Sequence, residues 1–69
     1  MTVRWTQPDG APISCTEKLR VLEENHAELT QVMRDAFEDA VLMGVDAQAM
    51  RQVLAGMVAQ LESPLKSGR

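Results

Sequence analysis

Apolar residues recur along the middle of the chain at Leu19, Leu22, Leu29, Met33, Ala36, Ala40 and Met43, with His26 in the same register. This three-four spacing is that of heptad a and d sites, so it predicts one long helix over residues 15–43 whose seam calls for a partner helix. A second seam at Ala47, Met50, Leu54, Met57 and Leu61 predicts a shorter helix over residues 47–62. Signals at the ends support these bounds. Ser14 with Glu17 reads as a capping box, the serine hydroxyl accepting the Glu17 N–H. Gly44 reads as the left-handed residue after a helix, with Val45 the apolar residue that folds back on the last turn. Asp46 is a cap for the second helix, and Pro64 keeps Ser63 out of the helical region.

The short turn makes the two helices antiparallel neighbours. Folding about Val45 pairs Met43 with Ala47, Ala40 with Met50 and Ala36 with Leu54, which match small residues with large ones, and then Met33 with Met57 and Leu29 with Leu61. Alternation of size is what interdigitating layers need. Gly56, costly inside a helix, lies near Ala55 and Ala59 and reads as the mark of a close helix crossing. This register leaves Leu19, Leu22 and His26 beyond the end of the second helix. It also leaves Val32, Phe37, Val41, Val53 and Val58 as apolar flanks that a lone pair of helices does not cover. Both surfaces call for a second chain, and a two-fold homodimer would enclose them as a four-helix bundle; the alternatives are a higher oligomer, an obligate complex with a different protein, or a monomer whose arm covers part of the overhang.

Residues 1–14 read as an arm. Val3 and Trp5 alternate with Arg4 and Thr6, and Pro8, Asp9 and Gly10 form a turn signal, so the arm is extended or a short β-hairpin. Pro12 offers no N–H to a ladder and counts against the hairpin. Trp5, one of two aromatic residues, is expected either to clip the arm onto a helix or to serve another protein as an anchor. Residues 63–69 read as a frayed tail of this single helical domain.

Size strengthens the case for assembly. The chain has 69 residues and one cysteine, so neither an internal disulfide nor a cage of Cys and His is within reach of one copy. A single core of this size rarely supplies more than roughly 3–5 kcal/mol without a staple, and oligomerisation is the staple left. The net charge of −3 and a pI near 4.9, with scattered Lys and Arg, argue against nucleic acid or an anionic membrane as partner. The first residues carry no apolar core of a signal peptide, and no run is long enough for a membrane span, so the expected location is the cytoplasm.

Candidate chemistry is sparse. Glu23 and His26 stand at i and i+3, the spacing by which di-iron carboxylate bundles aim a carboxylate and an imidazole at one metal. Such a site would have to be completed across a two-fold, with Glu28 as a further carboxylate; otherwise His26 is a polar residue that sets the register of a seam, where its charging would weaken assembly. Cys15 sits at the start of a helix, where free N–H groups favour a thiolate, but no second Cys or His lies nearby in sequence to build a nucleophile site. The methionines at helical spacing read as core. Glu23, Glu24, Glu28, Asp35, Glu38 and Asp39 read as a solvated face, with Arg20 and Arg34 placed for i, i+4 pairs to Glu24 and Glu38.

In size and layout the expected hairpin dimer resembles the small regulatory four-helix bundles of the RNA-binding Rop type. The likeness is one of architecture and carries no shared motif, and the basic stripe of an RNA binder is missing. With no catalytic constellation, no Gly-rich phosphate loop and no cofactor motif, the expectation is a non-enzymatic, all-α protein-interaction module. It would bind itself and another protein through Trp5, Leu19, Leu22, His26, Val32, Phe37, Val41, Val53 and Val58. The competing class is a small metal or redox protein using Glu23, His26 or Cys15 at a dimer two-fold.

Overall fold

The computed structural model describes residues 3–65 and contains two helices, α1 (Thr16–Leu42) and α2 (Ala47–Ala59), with no strand among the described residues. The two helices and the hairpin-like connection between them agree with the periodicity. The chain divides into two compact units, Met1–Val32 and Met33–Arg69, and α1 contributes to both.

In the first unit, α1 begins one residue later than the periodicity suggests. The Leu19 N–H donates to the Cys15 carbonyl at 2.9 Å, so Cys15 and not Ser14 is the capping residue. The expected Ser14–Glu17 box is absent; Glu17 instead pairs with Arg20 one turn on. Both partners are exposed, which limits the worth of the pair to tenths of a kcal/mol up to about 1.

The arm makes one isolated antiparallel bridge, Thr6 to Pro12, and no strand. Its turn is set by Gly10, whose φ of 91° is open to glycine at no steric cost. The Gly10 N–H donates to the Gln7 carbonyl at 2.8 Å, and the Ala11 N–H to the Asp9 carboxylate at 3.0 Å. Two further bonds, Gln7 N–H to the Ala11 carbonyl and Ile13 N–H to the Trp5 carbonyl, flank the bridge at 2.7 and 2.9 Å. Thr6 and Pro12 therefore face each other as a non-hydrogen-bonded pair. The N–H that proline lacks is not needed at that position, which is why Pro12 does not prevent the bridge.

In the second unit, α1 ends as expected on Gly44, at φ 107°. The Gly44 N–H donates to the Val41 carbonyl at 3.0 Å and the Val45 N–H reaches back to the Ala40 carbonyl at 2.9 Å, the paired bonds of a Schellman stop. Asp46 then caps α2, its carboxylate accepting from the Ala49 N–H at 2.9 Å. Ala40 is the one buried residue among those described, with Phe37, Ala47, Met50 and Leu54 half-buried. Ala40, Met50 and Leu54 fall in the seams the sequence marks, which fits the hairpin register.

Helix α2 stops at Ala59, three residues short of expectation. The Gln60 and Leu61 N–H groups turn inward to the carbonyls of Met57 and Val58, a tight last turn that ends the helix before Pro64 can. Among the described residues Gly56 marks no close crossing: a Cβ added there meets nothing within 4 Å. At residues 63–65 the Leu65 N–H donates to the Ser63 hydroxyl at 3.0 Å. The remainder of the expected tail, from residue 66, and the first two residues of the arm lie outside the described residues.

Candidate functional site

Two clusters gather the candidate residues, one in each unit. In the first, the arm delivers Trp5 to α1. Its indole N–H donates to the Glu23 carboxylate at 2.8 Å, and its ring meets the His26 imidazole edge-on, with centroids 5.9 Å apart and planes at 79°. A hydrogen bond to a carboxylate is stronger than one between neutral groups, and an edge-to-face ring contact adds about 0.5–1.5 kcal/mol to area burial. Trp5, Leu19 and Leu22 are half-buried, whereas His26 is exposed and Val32 strongly so. Glu23 and His26 thus hold Trp5 between them. The sequence alone points Glu23 to a possible metal or a solvated face and His26 to a possible metal or a seam; no local signal ties residue 5 to either, and only the fold reveals the pairing.

Among the described residues, no group of three or more His, Cys, Asp and Glu side chains is gathered closely enough to hold a metal ion. The Cys15 thiol is exposed, and the backbone N–H groups of Lys18 and then Glu17, with the Lys18 charge adding to them, hold its pKa below the ordinary thiol value. This places a thiolate-favouring group at the start of α1.

In the second unit, the Arg51 guanidinium lies over the Phe37 ring at 5.2 Å from its centroid, a cation–π contact that covers one flank of the helix pair. Phe37, Val41, Ala47 and Arg51 line a shallow depression open to solvent there. The other expected contact residues of this unit stay uncovered: Val53 is 54% exposed and Val58 63%, and Met57 beside them 60%. The structure therefore brings Trp5 and His26 together, sets Phe37 under Arg51, and leaves Val32, Val53 and Val58 as bare apolar surface.

No family model, no curated protein and no solved structure matches this chain. Among the described residues, no helix is long and apolar enough to cross a membrane.

Proposed function

We propose that this protein is a non-enzymatic protein-interaction module that works as a helical homodimer, an adaptor, regulator or accessory subunit rather than a catalyst. The observation that carries the reading is the burial pattern. Ala40, at 8% exposure, is the one buried residue described, while Leu29, Val32, Met57, Val58 and Leu61 are all more than half exposed. With a single alanine enclosed among the described residues, burial does little to offset the entropy of ordering the backbone, roughly 1–2 kcal/mol per residue, which supports a folded state completed by a partner surface. A four-helix bundle formed by two copies supplies one, and the dimer then presents Trp5 and the remaining apolar flank to another protein.

The reading of Glu23, His26 and Cys15 as a metal or redox site is less well supported. The Glu23 carboxylate spends one acceptor site on the Trp5 indole N–H, and among the described residues no three His, Cys, Asp or Glu side chains gather closely enough to hold a metal ion. The test is the absolute mass by light scattering across a dilution series, with metal analysis of the same peak. A mass near twice 7.6 kDa without metal is expected. A fully helical monomer at all concentrations would overturn the reading, and a dimer whose metal is lost in His26→Ala would transfer the proposal to the metal site.

A further inference from the structure

We infer that the arm is an intramolecular cap: it occupies the first half of the α1 seam, at Leu19, Leu22 and His26, and so closes that half against another helix. The periodicity assigns these three positions to a partner chain, and the structure puts the chain's own arm there instead. The inference goes beyond the dimer reading and limits it, since it takes these positions out of the contact surface of the closed chain.

The first support is the alternation of burial along the arm. Val3, Trp5, Ala11 and Ile13 are half-buried, whereas Arg4, Thr6, Pro12 and Ser14 beside them are exposed. Successive residues of an extended chain point to opposite faces, so each limb of the arm turns an apolar face one way and a polar face the other. Trp5 and Ile13 stand opposite each other across the Thr6–Pro12 bridge, joined by the Ile13 N–H on the Trp5 carbonyl at 2.9 Å, and therefore share a face. The Trp5 indole on Glu23 and the edge of its ring on His26 fix that face against α1.

The second support is a contrast along α1 inside one unit. Leu19 and Leu22 are half-buried, and Leu29, the same residue type in the same register, is 59% exposed. The change falls beyond Glu23 and His26, the residues that hold Trp5. One seam is thus covered where the arm lies on it and bare past it. The cover is reversible, because Glu23 and His26 are exposed and a hydrogen bond that water can replace adds little net stability. A helix that seats heptad residues on Leu19, Leu22 and His26 needs the side of α1 that the arm holds, so the two covers exclude each other. Release of the arm frees Trp5 in the same step, which joins the cap to the proposed use of Trp5 as an anchor.

The experiment uses the full chain, with its own copy as the incoming helix. Sedimentation equilibrium and circular dichroism compare wild type with Trp5→Ser, which removes the latch from the arm, and with Glu23→Ala, which removes its acceptor on α1 and keeps Trp5 as a fluorescent reporter. Glu24→Ala makes the same change of charge without touching the latch. Both latch variants are expected to keep their helicity and to self-associate about tenfold or more tightly than wild type, the order of change that covering Leu19 and Leu22 afresh supplies. Glu24→Ala should match wild type. Should Trp5→Ser lose helicity, Glu23→Ala decides, because Glu23 is an exposed position of α1. A wild-type dimer whose association is unchanged or weakened in either folded latch variant, or an equal gain in Glu24→Ala, would overturn the cap and leave the homodimer standing. A wild-type monomer whose latch variants dimerise would keep the cap and overturn the homodimer reading of the closed chain, and monomers throughout would overturn both.

Discussion

The two units hold themselves together by different means. Residues 3–32 rely on directed polar contacts: the Trp5 indole on Glu23, the edge of its ring on His26, and the backbone bonds around Gly10 that shape the arm. Residues 33–65 rely on apolar faces brought together by a Schellman stop and an aspartate cap, with Ala40 between them. Directed bonds can satisfy a short arm within one chain. Apolar faces on two helices cannot be satisfied that way, since each helix has one neighbour and a stripe wider than one neighbour covers. The arm of the first unit is thus held by polar pairing, although Leu29 and Val32 on its helix stay bare, and the second unit carries the bare Val53, Met57 and Val58.

The largest effect is expected at Ala40. Ala40→Asp sets a carboxylate at the one buried position described and should cost about 3 kcal/mol or more, read as loss of helical circular dichroism in urea titrations. Glu23→Ala removes the acceptor of the Trp5 N–H and should loosen the arm by about 1–2 kcal/mol. Trp5 is the sole tryptophan and there is no tyrosine, so a red shift of the intrinsic fluorescence with little change in helicity would report that loss; an unshifted spectrum would show that the polar clip is not what holds the arm.

Two glycines should respond with opposite sign. Gly44→Ala forces a side chain to adopt φ 107° and should destabilise by about 1 kcal/mol. Gly56→Ala meets open space within the chain and should stabilise the helix by about 0.5–1 kcal/mol, measured by thermal unfolding. A loss at Gly56 instead would place a neighbouring copy against that face.

The smallest effect is at Cys15. Backbone N–H groups of Lys18 and Glu17 favour its thiolate in the folded chain, so alkylation by iodoacetamide should reach half its maximal rate at lower pH in the folded protein than in urea. The linkage sign follows: a folded pKa that is depressed adds stability in full above the unfolded thiol pKa, and that addition is lost as pH falls through the folded value.

Much of the fold was legible because it rests on local rules. Gly44, Val45 and Asp46 each satisfy an orphan backbone group or a required φ within a few residues, and such requirements are written in sequence. The start of α1 was misplaced by one residue because serine is the better capping side chain, yet the first helical hydrogen bond falls on the Cys15 carbonyl. The end of α2 was set too late because Leu61 continues the apolar period after the backbone has already turned at Gln60. Trp5 was legible as an anchor and its partners were not, since nothing local links it to Glu23 or His26. The candidate contact surface was legible as surplus apolar positions, and the structure adds which of them Arg51 covers and which stay bare.

The central claim is that this chain completes its fold by pairing with a copy of itself. Thermal unfolding followed by far-ultraviolet circular dichroism over a hundredfold range of chain concentration tests it most directly, because a folded state that contains two chains gains stability by mass action as concentration rises. A midpoint that climbs steadily with concentration is the predicted result. A midpoint that stays constant across that range, with full helicity at the lowest concentration, would contradict it.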